Sequence, residues 1–295
     1  MKPTSSHHLV GILWTLIACF LFGSAGTVVR LGVAAGAHTL TVMVVQTLFA
    51  TAIAWTIAGQ IPRLTRDIAW RMFLLALAAG TSGWCMLEGY ARLGVAPVAI
   101  ILALYPAIVG LYVWILDKKR PAGMWFVSLG TAFVGVLLAM IGQQQAAGHW
   151  WEYLFPIVCA FTLAANDLLV QRVVVNTPPS IAIGWINLFT AITTFVLSPQ
   201  LILSHITGLP SLATGLGLGV MLFLALQLKF TAIAQIGPRI VSLLATSQPI
   251  LALIVAALVL NEWLSARQMV GVVLVVVALI LVTQLKEEPV TRATE

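Results

Sequence analysis

Ten long apolar runs joined by short polar links decide what this chain can fold into. A bilayer-crossing helix needs about 20 apolar residues, and about 28–30 with its loop, so 295 residues hold about ten. The runs are unbroken and do not alternate in segments of about ten residues, so they belong to helices and not to a membrane barrel. They read as Leu9–Val29, Leu40–Ala58, Ile68–Ala91, Val95–Leu116, Met124–Ile141, Tyr153–Val173, Ile181–Leu203, Leu212–Ile236, Ile240–Leu260 and Gln268–Leu285. Composition agrees: 61% of residues are hydrophobic and 8% charged, where a soluble domain carries about 25% charged. A soluble enzyme, a nucleic-acid binder and a disordered chain are excluded, and a further soluble domain of about 100 residues has no room. The first run is too long for a signal-peptide core and nine follow it, so it reads as a retained span.

The net charge of +6 is loop charge that orients the chain. With the N-terminus inside, inner loops and tails hold Lys2, Arg63, Arg66, Arg71, Lys118, Lys119, Arg120, Arg172, Arg239, Lys286 and Arg292. That is eleven, against three outside: Arg30, Arg92 and Arg267. The asymmetry predicts ten spans with both termini cytoplasmic, in a plasma membrane or bacterial inner membrane. Trp55, Trp70, Trp114 and Trp125 fall at inner interfaces, and Trp150, Trp151 and Trp263 at outer ones, as amphipathic rings do. Cys19, Cys85 and Cys159 all lie in apolar runs, with no CxxC or disulfide pattern.

The two halves resemble each other at an offset of 140–143 residues. Pro106 matches Pro249, Arg30 matches Arg172, Thr47-Leu48-Phe49 matches Asn187-Leu188-Phe189, and Glu88-Gly89-Tyr90-Ala91 matches Lys229-Phe230-Thr231-Ala232. The halves are residues 1–147 and 148–295, five spans each. An odd number turns the second copy upside down. The expected fold is therefore an all-α membrane protein of two inverted five-helix repeats, an arrangement in which secondary transporters hold substrate near the midplane.

Two segments carry a family resemblance. KFTAIAQIGPRIVSLLATSQPILALIVAALVLNEWLSARQMVGVVLVVVALIL and, more loosely, GYARLGVAPVAIILALYPAIVGLYVWIL resemble the ten-span EamA-type exporters of the drug/metabolite transporter (DMT) superfamily. Pro249, Glu262 and Gly271 fit the family pattern, as do Tyr90, Ala91, Pro106 and Gly130 in the first copy. The first copy departs at its span end, where Asp117, Lys118, Lys119 and Arg120 replace the usual Leu-Gly-Glu. The resemblance implies gradient-driven movement of amino acids, other metabolites or drugs, usually outward. It implies a cavity among spans one, three, four, six, eight and nine, with spans five and ten at the periphery.

Ionisable groups inside spans are costly and mark sites by default, so Glu88, Asp167 and Lys229 are the coupling residues to test. The alternative for each is a side chain that reaches the interface. Asn166, Gln227 and Gln248 lie on spans the resemblance assigns to the cavity and read as substrate contacts, joined by Ser24. Gln46 and Asn187 read as amides that bond neighbouring helices. Trp84, Tyr90 and Tyr105 either stack on a substrate or pack the core, and Trp185 shares that choice. Pro106 and Pro249 kink their spans and free carbonyls near Leu102 and Ala245. Gly23, Gly26, Gly80, Gly83, Gly215 and Gly219 permit close helix approach, the last two as a GxxxG that suits a sliding contact within the chain.

Competing classes lack their signatures. The five histidines stand in loops, tails or span ends, and no HExxH motif occurs, which argues against an intramembrane enzyme. No filter-like loop suggests a channel, and no GxxxxGK[ST] motif suggests ATP-driven pumping. The chain therefore reads as a secondary exporter of small metabolites, amino acids first, coupled to protons. Its expected partners are membrane lipid and one small-molecule substrate, without cofactor, metal, ATP or nucleic acid. Other metabolites or drugs, and a facilitative uniporter, stay open as alternatives.

Overall fold

The structure, a computed structural model, describes residues 5–59, 65–105, 108, 111–112, 114–115, 123–140, 149–173, 178–236, 244–245 and 247–284. Among these residues the regular structure is helical throughout. The first half contributes α1 (Ser5–Ala34), α2 (Thr39–Ala58), α3 (Arg66–Leu93), α4 (Val95–Leu102) and α5 (Gly123–Met140). A 3-10 turn (Trp150–Tyr153) leads into α6 (Leu154–Val173), α7 (Pro179–Leu197), the short α8 (Pro199–His205), α9 (Leu209–Ile236), α10 (Gln248–Leu260) and α11 (Ala266–Gln284). Among the described residues five segments are long and apolar enough to cross a membrane: Leu9–Ala34, Thr39–Ala58, Ile68–Leu93, Ser180–Leu197 and Leu209–Lys229.

Helix ends follow local chemistry. Gly59 and Gly94 take positive φ of 68° and 88°, which a side chain disfavours, and their N–H groups bond back to the last carbonyls of α2 and α3. Ser265 and Gln268 form a reciprocal cap before α11. The Ser265 N–H donates to Gln268 Oε1 at 2.7 Å, and the Gln268 N–H donates to Ser265 Oγ at 3.3 Å.

Three expected spans differ from the sequence reading. Span seven, expected over Ile181–Leu203, divides at Ser198 into α7 and α8, because Pro199 has no N–H and bars its predecessor from helical geometry. Span four, expected over Val95–Leu116, is interrupted: α4 ends at Leu102, Ala103 and Leu104 form a turn, and the described residues from Tyr105 to Ile115 are helical again. Pro106 itself lies outside the described residues. Span nine, expected over Ile240–Leu260, is interrupted by a turn at Ser247, with helix at residues 244–245 before it and α10 after it. Pro249 stands in the first turn of α10, where a missing N–H costs nothing.

The main helix contacts run between halves. α1 packs against α9 and α10, α2 against α7 and α9, α3 against α6 and α7, and α5 against α11. The principal core joins Ala25 and Val29 of α1, Leu87 and Tyr90 of α3, Val95 and Val98 of α4, and Ala252 and Leu253 of α10. Glycines set the spacing. A Cβ on Gly23 would stand 3.0 Å from the Ala252 nitrogen and 3.1 Å from the Gln248 carbonyl, so α1 and α10 touch backbone to backbone. Gly215 faces Val45 and the Val42 carbonyl, and Gly219 faces the Gln46 carbonyl and Phe49. The GxxxG is therefore a contact between α9 and α2 within the chain. Leu197, Leu258 and Val196 are among many large apolar side chains left exposed, a surface suited to lipid and costly in water.

Candidate functional site

Two polar regions stand out in this apolar bundle. The first is interior, where α1, α9 and the start of α10 meet. Cys19 Sγ lies 3.8 Å from the Leu244 carbonyl, and Ser247 Oγ donates to the same carbonyl at 2.7 Å. Lys229 of α9 is within electrostatic reach of Cys19. Ser24 sits one residue past the contact of Gly23 with Gln248, and its hydroxyl bonds the Phe20 carbonyl of its own helix at 2.7 Å. Ser24, Gln248 and Lys229 are thus gathered around one helix, α1, and two of them come from the other half.

Several interior polar atoms are buried without a hydrogen-bond partner: Asn166 Oδ1, Gln227 Oε1, Gln46 Oε1, Thr27 Oγ1 and Thr41 Oγ1. A buried unsatisfied oxygen costs about 1–3 kcal/mol, so each is a place where a polar solute or water gains a bond. Tyr105 packs beside Ile108, Ala160 and Ala164, on the helix that carries Asn166. Asp167 follows Asn166 in α6, and its side chain lies outside the described residues. Tyr90 is 3% exposed and its ring fills the space above Gly26, which makes it a core group. Trp84 is 37% exposed and meets Phe155 edge to face at 5.7 Å, away from that core. The expectation that Asn187 bonds a neighbouring helix is corrected: its Nδ2 donates to the Ile183 carbonyl one turn back in α7, at 2.8 Å.

The second region closes the end of the bundle where α1 and α3 finish and α2, α4 and α9 begin. Glu88, 9% exposed, accepts from Arg92 Nε at 2.7 Å and from the Thr39 hydroxyl. Arg92 also reaches Glu152 at 3.6 Å and lies over the Trp151 and Phe155 rings at 5.3 Å each. Arg30 donates from Nη1 to the Ala91 carbonyl at 3.0 Å and pairs through Nε with Glu262 at 3.5 Å. Glu262 in turn accepts the Val95 N–H at 3.3 Å. The His38 ring stacks on His205 at 4.6 Å, and the His38 N–H donates to Ser211 Oγ at 3.0 Å. Burial, and then the neighbouring His205, push the His38 imidazole below its ordinary pKa, with Glu88 pulling the other way. Glu88 and Lys229, matched between the two copies in the sequence, lie apart: Glu88 belongs to this end and Lys229 to the region of Cys19. In the sequence Arg30 and Arg92 stood out as outer-side charges and Glu262 as a match to the family pattern, while Glu152 was not singled out and none was read as a member of a pair. The signal available was that both arginines and both loop carboxylates fall at one predicted end.

A helical bundle with a lipid-suited exterior, interlocked halves and polar groups inside its apolar helices defines a multi-pass membrane transporter. Comparison with known proteins makes this specific. The profile of the EamA-like transporter family matches residues 9–141 and again residues 150–284, and the chain belongs to that family. It is similar to the uncharacterized transporter YwfM of Bacillus subtilis (strain 168), 23% identical over 280 residues that cover 92% of this chain and 93% of that protein. A solved crystal structure shares the fold with a TM-score of 0.60 at 16% identity, covering 94% of this chain and 96% of its own.

Proposed function

We propose that this chain is a secondary exporter of small metabolites, with amino acids as the first substrate class, working by alternating access of two inverted five-helix repeats. The observation that carries the reading is the double match to one transporter family, at residues 9–141 and 150–284. The helix pairing supports it, since the main partners of α1, α2, α3 and α5 come from the second half. Ten spans with both termini cytoplasmic follow from the loop charges, in a bacterial inner membrane.

Substrate is bound between α1, α6, α9 and α10, near Tyr105, Asn166, Gln227 and Gln248. The unpartnered oxygens of Asn166 and Gln227 suit the ammonium of a zwitterion. Lys229 has no ion pair with a described carboxylate and stands near the start of α10, where a helix N-terminus favours negative charge. A substrate carboxylate fits there. Asp167 or Glu88 takes up the coupling proton.

The test is a panel of radiolabelled amino acids, other metabolites and cationic drugs in proteoliposomes, with and without a pH gradient. Amino-acid flux that follows the gradient, and that falls at least fivefold in Tyr105→Ala, Asn166→Ala or Gln248→Ala without loss of protein, is the expected result. Equal flux in all three variants refutes the site. Flux indifferent to the gradient makes the protein a facilitative uniporter.

A further inference from the structure

Three ion pairs gather at one end of the bundle. Two of the three join the halves: Arg30 of α1 to Glu262 beyond α10, and Arg92 of α3 to Glu152 of the 3-10 turn. His38 adds two more links across the halves, through His205 and Ser211. At the opposite end, the described contacts between halves include no charge pair: Trp55 of α2 meets Trp185 of α7 edge to face at 5.3 Å, and the Thr51 hydroxyl donates to the Gly184 carbonyl at 3.3 Å.

The placement of the first pair is informative. α3 ends and α4 begins at Gly94, so a carbonyl-rich helix end and an N–H-rich helix end meet in one tight hairpin. Arg30 sits on the carbonyl side, at Ala91, and Glu262 on the N–H side, at Val95. Each charge matches the helix end it touches, and the two charges pair with each other. The hairpin is gripped at once by α1 and by the loop after α10. Gly94 suits this hairpin through its backbone, since φ of 88° with an extended ψ strains any side chain, while the Glu262 carboxylate lies in ordinary contact distance, 3.4 Å, of its Cβ position.

We propose that Arg30–Glu262 and Arg92–Glu152 form a breakable lock that holds this end of the transporter shut, and that the lock opens once per transport cycle. The proposal rests on the alternating-access reading above. The pairs suit a gate because they are half exposed, with Arg30 and Arg92 side chains 36% and 39% accessible. Pairs of that exposure shift an equilibrium by about two- to fivefold each, enough to bias a state and too little to trap it. An apolar seal of the same area would have to be rewetted at every turnover. Arg92 and Glu88 stay together within α3, so Glu152 alone leaves when the second pair opens.

The experiment is hydrogen–deuterium exchange on the full-length protein in lipid nanodiscs, without substrate, comparing the parent with the Glu152→Gln/Glu262→Gln double variant. Glutamine keeps an oxygen for the Val95 N–H and removes only the charge. Exchange at residues 35–39 and 93–96 is expected to rise about tenfold, from two pairs of the strength given. Exchange at residues 55–59, at the other end, is expected to stay level or slow. Equal acceleration at both ends would show general loosening, and no acceleration at 35–39 and 93–96 would show that the pairs hold nothing. Either result overturns the lock. The transport panel, read separately, decides whether the chain is a transporter at all.

Discussion

Replacing Gly219 with alanine tests how closely α2 and α9 must approach. The added Cβ would stand 2.9 Å from the Gln46 carbonyl oxygen and 3.2 Å from Phe49 Cβ. The oxygen is backbone and cannot swing aside, so the two helices must separate by about half an ångström to restore ordinary contact, an overpacking cost of about 1–3 kcal/mol. Alanine returns about 0.5–1 kcal/mol of helix propensity. The net loss is about 1–2 kcal/mol, or about 3–6 °C in melting temperature. Gly217 is the internal control, since nothing lies within 4 Å of its Cβ position and only the propensity gain applies. Thermal unfolding in detergent, followed by tryptophan fluorescence, should place Gly219→Ala clearly below the parent and Gly217→Ala level with it or slightly above. If both variants melt together, the backbone contact is not what sets this interface.

Gly94→Ala is expected to cost about 1–3 kcal/mol, because φ of 88° with an extended ψ is a conformation only glycine holds easily, and the same melting assay reads it. Acid should loosen the end closed by His38. Its pKa is lowered in the closed state, so closure is complete above the ordinary value of 6.5, weakens as pH falls through it, and levels off below the depressed value. Exchange at residues 35–39, corrected for intrinsic rate, should show this rise, and His38→Gln should abolish it. Reporters fused within Gln143–Gly148 and at the C-terminus should report opposite sides of the membrane, and agreement between them would break the ten-span count. Asp167→Asn or Glu88→Gln should lose gradient-driven flux between about pH 6 and 8, and parental flux in both would remove these carboxylates from coupling.

The helical membrane class could be read from the chain because about 20 apolar residues in a row admit few alternatives. Span seven was misjudged because the apolar run continues through Ser198-Pro199, and hydropathy overrode a backbone signal that the dipeptide carries plainly. The turn at Ser247 that opens α10 was not placed, although Pro249, which stands in the first turn of that helix, marked its neighbourhood. Interior polar residues were found by type, because an amide or a charge in an apolar run is conspicuous. Their partners were not, since whether Asn187 bonds its own helix or another depends on rotamer and packing. The paired end was missed for a different cause. Arg30, Glu152 and Glu262 are ordinary charges near span ends until folding brings together residues 60 and 232 positions apart, and no local pattern encodes that.

The pairing of helices across the halves also sets a timetable. α1 enters the membrane first, yet its main partner α9 begins roughly 175 residues after α1 ends, which at about 5–20 residues per second takes ribosomes roughly 10–35 s. Through that interval Gly23 and Gly32 lack the helices that fit them, α10 and α9. α5 waits in the same way for α11, the last helix made. The nascent chain therefore spends most of its synthesis as inserted but unassembled helices. An insertase or another holding factor that shields those small-residue faces would act on the first half alone, and its work would end when α9 and α10 arrive.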